Sequence, residues 1–262
     1  MATFTWTGTY GFQPDSFNFT NLVNADRYER SSTTFKAVYG VLGRSWDKFD
    51  GYGFTYTPDG IPTGGVVTGY SGVDAGRKVS TLTNVKISVL SLVNAASSYS
   101  TDDDFRVFKS VLSGKDMITG GRYDDSLSGF NGNDTLAGGG GADFLSGGKG
   151  ADRFVFKSAS ESRWSKIDTI TDFSRSQSDK IDLSKIDAKS GVAGNQAFTF
   201  IGAAEFSGRK GELRYFNGEF EDEYSDLYLE THVQADVNGD GRADFELSLN
   251  KVLAVTKSYF VL

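Results

Sequence analysis

Five aspartates recur every nine residues through the middle of the chain, at Asp116, Asp125, Asp134, Asp143 and Asp152. Two residues after each comes an apolar side chain: Ile118, Leu127, Leu136, Leu145 and Phe154. Twelve of the 32 glycines lie between Gly114 and Gly150. Glycine allows positive φ and close approach, so a turn can aim several backbone carbonyls at the point where a carboxylate also points. Such an all-oxygen set suits a hard cation, calcium above all. The rest of the composition leaves little else for a metal. There is no cysteine and only one histidine, His232, which excludes disulfides, thiolate sites and a cysteine nucleophile.

The repeating unit is Gly-Gly-x-Gly-x-Asp-x-U-x, with U a large apolar residue. Full copies start at Gly120, Gly129, Gly138 and Gly147, after a half copy from Gly114 to Thr119. The candidate ligands are the carboxylates and turn carbonyls of Gly114 and Asp116; Gly120, Arg122 and Asp125; Gly129, Asn131, Gly132 and Asp134; Gly138, Gly140, Gly141 and Asp143; and Gly147, Lys149, Gly150 and Asp152. A flexible glycine linker needs neither the aspartate register nor the apolar residue behind it. The three residues Asp-x-U read as a very short strand. With two units per turn of a coil, residues 18 apart stack, pairing Asp116 with Asp134, Asp125 with Asp143 and Asp134 with Asp152, and providing for up to three calcium ions. Tyr123 and Phe130 stand where the pattern has turn glycines, so weaker sites are expected there. Stacked carboxylates repel, and three-residue strands bury too little to offset the entropy of ordering a glycine-rich chain. The segment is therefore expected to fold only with the ion. An ion at about ten times its dissociation constant contributes roughly 1.4 kcal/mol per site.

These residues resemble the RTX nonapeptide repeats, which form a parallel β-roll around calcium. After Ala151 the sequence continues as ADRFVF, DTITDFS (Asp168 to Ser174), DKIDLSKID (Asp179 to Asp187), FTFIG and GELRY, short alternating strands ending in Asp, Ser and Gly. From about Gly114 to Leu262 the chain is similar to the C-terminal domain of serralysin-type secreted metalloproteases, a roll followed by a β-sandwich-like cap. That resemblance implies export by type I secretion machinery through an uncleaved C-terminal signal. The chain ends Ser258-Tyr259-Phe260-Val261-Leu262, apolar as in the family, although Lys257 or Ser258 stands where an acid is usual. The protease does not carry over: there is no HExxH, and one histidine cannot supply its zinc ligands.

Asp236, Asn238, Asp240 and Asp244 form DxNxDGxxD, with oxygen ligands at loop positions 1, 3, 5 and 9 as in a calcium loop, but Leu247 replaces the closing glutamate. An Asn-Gly/Asp-Gly hairpin turn explains the same residues. His232 alternates with Tyr228 and Glu230 along Leu227 to Val233 and is expected on a strand surface.

Residues 1–112 read as a β-rich module of unknown role, and 113–262 as the roll, cap and secretion signal. Phe4 and Trp6, Phe17 and Phe19, and Phe54 and Tyr56 alternate as strand residues do, and Asp59-Gly60 signals a hairpin between Tyr56 and Val66. Thr101, followed by Asp102, Asp103 and Asp104, predicts a capped helix to about Leu112. Gly51 to Tyr70 is similar to a module found upstream of RTX repeats in other bacterial calcium-binding proteins, a resemblance that implies no activity. Were this module an enzyme it would rely on carboxylates, as glycosidases do, with Asp15, Asp26, Glu29, Asp47, Asp50 and Asp74 available. Its aromatics with Asp and Asn equally suit sugar binding.

The fold expected is all-β: a parallel RTX roll with a β-sandwich-like cap, behind a β-rich module with a short helix. A formal charge of -7 and no basic run argue against nucleic acid as partner. No apolar stretch spans a bilayer, and Met1 to Gly11 lacks the basic and apolar regions of a Sec-type signal. The reading is a secreted, non-enzymatic calcium-binding component of the cell surface or matrix, with self-assembly or a surface polysaccharide as possible partner. A polysaccharide-binding module or a carboxylate-based glycan-active enzyme is the alternative.

Overall fold

The computed structural model describes residues 1–16, 18–98, 100–221 and 227–262. Its strands are β1 (Thr3–Trp6), β2 (Arg27–Arg30), β3 (Thr34–Tyr39), β4 (Ser45–Tyr56), β5 (Pro62–Asp74), β6 (Arg77–Ser88), β7 (Met117–Thr119), β8 (Ser126–Ser128), β9 (Thr135–Ala137), β10 (Phe144–Ser146), β11 (Arg153–Val155), β12 (Asp168–Ile170), β13 (Lys180–Asp182), β14 (Thr199–Gly202), β15 (Glu212–Glu221), β16 (Leu227–Asp236), β17 (Phe245–Leu249) and β18 (Phe260–Val261). Two helices, α1 (Val89–Ala96) and α2 (Thr101–Val111), connect β6 to β7. The protein is mostly β, in two sheets. One has eleven strands in the order β18-β13-β11-β9-β7-β1-β6-β5-β4-β3-β2, the other seven in the order β14-β15-β16-β17-β12-β10-β8.

Repeat strands alternate between the sheets, because each nonapeptide makes half a turn. In the larger sheet Ile118 pairs with Leu136 and Leu136 with Phe154, all parallel; in the smaller one Leu127 pairs with Leu145. These U residues are almost completely buried, at 0–1% exposure, and face each other across the coil. The stack continues past the repeat through β13, where Phe154 pairs with Ile181, to β18, where Ile181 pairs with Phe260. It also continues at its other end. Strand β1 lies parallel to β7, with Phe4 beside Ile118, and antiparallel to β6, with Phe4 beside Leu82. The long antiparallel strands β2 to β6 are therefore joined to the roll through one shared strand. Helix α2 packs beside it, with Phe108 edge-on to Phe4 at 5.3 Å.

Several local expectations are corrected. The cap of α2 is Ser100, whose hydroxyl accepts the Asp102 N–H at 3.2 Å; Thr101 is already the first helical residue. Within the acidic first turn Asp104 is buried and accepts the Phe19 N–H, tying a distant loop to the helix. Phe19 precedes a 3-10 turn, Thr20–Leu22, and is not in a strand, while Phe17 lies outside the described residues. The alternation of Val85, Ile87 and Val89 conceals α1, which buries Val89, Leu92, Ala95 and Ala96 at helical spacing. The Asp59-Gly60 turn does join two strands, β4 and β5, with Gly60 at φ 95°. Among the described residues no helix is long and apolar enough to cross a membrane.

Candidate metal centre

All five repeat aspartates are buried, at 1–3% exposure. Each carboxylate binds the backbone one turn away: Oδ1 of Asp134 accepts the Asp116 N–H, that of Asp143 the Asp125 N–H, and that of Asp152 the Asp134 N–H, each at 2.8 Å. The 18-residue pairs thus lie one above the other. The ladder extends beyond the five. Asp168 Oδ1 accepts from the Asp143 N–H at 2.9 Å and Asp179 Oδ1 from the Asp152 N–H at 3.0 Å. At the opposite end Ala2 and Phe12 donate their N–H groups to Asp116 and Asp125.

Asp168 and Asp179 were not among the sequence-derived ligands, although Asp168-x-Ile170 and Asp179-x-Ile181 repeat the Asp-x-U signal. Spacings of 25 and 27 residues, in place of 18, hide them.

The second oxygens divide by position. At the ends, Asp116 Oδ2 accepts from Gly114, Asp125 Oδ2 from Gly121 and Asp179 Oδ2 from Ser174. Oδ2 of Asp134, Asp143 and Asp152, inside the ladder, and of Asp168, which closes one edge of it, is buried with no hydrogen-bond partner. A buried acceptor with no donor is costly unless a cation serves it. The first glycine of each unit leaves room at these atoms: a Cβ on Gly129, Gly138 or Gly147 would sit 2.5, 2.1 or 2.4 Å from Oδ2 of its own aspartate. At Gly129 the same point lies 2.7 Å from the Gly147 carbonyl oxygen, so two acceptors converge with no donor between them. Gly138 O and Asp125 Oδ2 also converge at Gly120, where the Gly121 N–H already serves the carboxylate.

Burial, opposed by the backbone hydrogen bonds and reinforced by neighbouring carboxylates, raises the carboxyls of Asp134 and Asp143 to about 7, Asp152 to about 6 and Asp168 to about 8. Without a cation burial therefore favours the protonated form most at Asp168 and least at Asp152. Among the described residues no three His, Cys, Asp or Glu side chains cluster as a metal site. An ion here would draw on single carboxylates and turn carbonyls, the donor set that calcium prefers. The remaining candidates stack turn on turn. Gly132, Gly141 and Gly150 take φ between 131° and 140°, Asn131 bridges Lys149, the Gly132 N–H donates to the Lys149 carbonyl, and Gly140 lies over Arg122. Phe130 accepts the left-handed conformation, φ 64°, and its ring meets Phe105 at 5.7 Å. Tyr123 projects from its turn, half exposed.

The loop from Asp236 to Asp244 joins β16 to β17. Its carboxylates serve the loop's own backbone: Asp236 accepts from Gly239 and Gly241, Asp244 from Val237 and Asn238, and Asp240 from Arg242. Asn238 Oδ1 accepts from Asp240. These are hairpin-loop bonds.

His232 is a correction: it is buried, at 4% exposure. Its Nδ1 lies 2.6 Å from Glu246 Oε1 and its Nε2 2.5 Å from Glu230 Oε1, and Phe216 stacks on the ring at 5.1 Å. Burial lowers its basicity, but the two carboxylates outweigh that and hold it up at about 9.

A family model of the peptidase M10 serralysin C-terminal region matches residues 81–257, about two-thirds of the chain. The chain belongs to this family. The match begins inside β6, ahead of the repeat, and so takes in both helices. Two solved structures are similar. The R3 subunit of the AlgE6 mannuronan C5-epimerase of Azotobacter vinelandii is 30% identical, over 56% of this chain and 73% of that one, at a TM-score of 0.38. The R2 subunit of the same epimerase is 25% identical, over 56% of this chain and 88% of that one, at a TM-score of 0.35. No curated protein matches. Membership of the family, together with the roll, supports an RTX-like calcium-binding module.

Proposed function

We propose that the chain is an exported, non-enzymatic protein whose roll folds around calcium outside the cell and holds the β-rich module at the surface or in the matrix. The observation that carries the reading is the set of four buried, donorless Oδ2 atoms along the aspartate ladder. Asp134, Asp143 and Asp152, with Asp168, would hold the ions together with turn carbonyls such as that of Gly147. Extracellular modules bind calcium at roughly 10⁻⁴ to 10⁻³ M, so the roll stays unfolded at cytoplasmic calcium and remains suited to type I export. Support for a non-enzymatic role comes from the matched family, which describes the C-terminal part of serralysin. Calcium titration of the chelated protein, followed by circular dichroism and a bound-ion count, tests the proposal. Strand signal should rise with ion uptake, with a higher midpoint in Asp134→Ala than in Asp125→Ala, because Asp134 serves a turn on each side. Full strand content without calcium, or no ion bound, would overturn it.

A further inference from the structure

A cavity of about 330 Å³ opens on the long antiparallel strands, away from the roll's aspartates. One register row crosses five strands beneath it: Ala37, Asp47, Gly72, Ser80 and Trp6. The middle of the row is small and its flanks are large, so a trough lies between the Asp47 carboxylate and the Trp6 indole. Gly72 is there for space: a Cβ would stand 2.5 Å from Ser80 Oγ, 2.8 Å from the Tyr70 hydroxyl and 3.3 Å from Asp47 Oδ1. Both walls are held in place. Tyr70 donates to Asp47 at 2.7 Å, and the Trp6 Nε1–H donates to the Tyr10 carbonyl at 2.8 Å, setting the two rings edge to face at 5.2 Å.

The charge in the cavity is one-sided. Asp47 and Asp74 both line it, while among the described residues no lysine or arginine does. Burial raises the pKa of the Asp47 carboxyl, against the hydrogen bonds of Tyr70, Tyr39 and Asn21, so its charged form calls for a cation beside it. A carboxylate in such a place lacks the countercharge that buried charges normally have. The faces of Trp6 and Tyr10 attract cations through the ring quadrupole. An anionic ligand is repelled by both carboxylates. A hard metal ion needs six to eight oxygens, but only two carboxylates line the cavity, and among the described residues no three such side chains cluster to hold a metal. We propose that the cavity binds a small organic cation, its ammonium group held between the Asp47 carboxylate and the Trp6 and Tyr10 rings, with Asp74 adding attraction at the rim. The ammonium could belong to a free amine or amino sugar, or to a lysine side chain of another protein.

The test is titration calorimetry on the full chain kept folded in calcium. The probes are choline, glucosamine and Nα-acetyl-lysine amide, with N-acetylglucosamine and glucose as neutral counterparts and extra calcium alone as a metal control. At least one ammonium probe should bind about tenfold or more tighter than the neutral sugars. A preference for the small amines assigns the source to a free ligand, and a preference for the lysine amide assigns it to a protein side chain. Asp47→Asn should abolish binding while leaving the calcium-induced dichroism intact. Should that variant fail to fold, Tyr10→Ala, at a residue already 58% exposed, should still weaken binding several-fold. Neutral sugars binding as well as the amines, no amine binding at millimolar concentration, calcium filling the cavity instead, or unchanged binding in a folded Asp47→Asn protein would each overturn the proposal.

Discussion

The roll and the antiparallel module share β1 yet are held together in opposite ways. Strands β4, β5 and β6 run for 12, 13 and 12 residues, and with β3 they bury aromatic side chains such as Phe35, Phe49 and Phe54. Each roll strand from β7 to β13 has three residues and buries one large apolar side chain beside a buried aspartate. The first region stabilises itself by removing apolar surface from water. In the second, carboxylates lie within the stack and four of their second oxygens have no donor, so on the function proposed above an external cation decides whether the stack forms. Besides β1 they touch where the Phe12 N–H binds Asp125 and Phe105 meets Phe130, yet with such different sources of stability they need not melt together.

The largest effect that would expose this contrast is calcium removal. With a chelator, hydrogen exchange should lose protection across residues 114–182, while β3 to β6 keep theirs and β1 falls between. Simultaneous loss in both regions would mean that the module has no independent stability. A smaller effect separates two glycines. Gly129→Ala pushes a methyl group between Asp134 Oδ2 and the Gly147 carbonyl, whereas the Cβ of Gly69→Ala would meet Leu82 O at 3.5 Å, an ordinary contact. The first should cost about 2 to 3 kcal/mol and the second no more than about 0.5 kcal/mol in denaturant melts with calcium present. Similar costs would show that space at the roll's carboxylates is not special.

How much of this could be read from residue types follows from what is local. The aspartate register, the apolar residue two places on and the stacking at 18 residues all lie inside one short repeat. Asp168 and Asp179 kept the Asp-x-Ile pattern but lost the period, because the turns before them grow to hold exposed residues such as Trp164. Alternation placed His232 on a strand face but could not say what covers that face; Phe216, Glu230 and Glu246 arrive from residues up to 16 positions away. Nothing near Phe4 announces that Ile118 is its parallel neighbour, and the row uniting Asp47 with Trp6 depends on a second non-local pairing, of β1 with β6. Of the six carboxylates considered in the module, only the folded sheet shows that Asp47 and Asp74 share a cavity.

The smallest effect comes from His232. Its pKa is raised in the folded state to about 9, above the unfolded value, so the stability it adds is fully present below about pH 6.5 and is lost as pH rises through about 9. The groups facing it are Glu230 and Glu246, both held below the usual carboxylate range by the imidazolium once burial is outweighed. Raising the pH from about 7 to 9 should cost the calcium-loaded protein about 2 kcal/mol, and Glu246→Gln should flatten that dependence. A flat profile in the parent protein would mean that His232 is neutral when folded.

The apolar column Phe4, Ile118, Leu136, Phe154, Ile181 and Phe260 gives the stack a parity. Because each unit makes half a turn, inserting two units adds a full rung and returns every later strand to its own sheet. Inserting one unit moves every later strand across the coil, so that Ile181 would be sent to the sheet that holds Ile170 and Phe260 would follow it. Length in this protein is thus counted in even steps: 18 extra residues lengthen the stack, while nine scramble it.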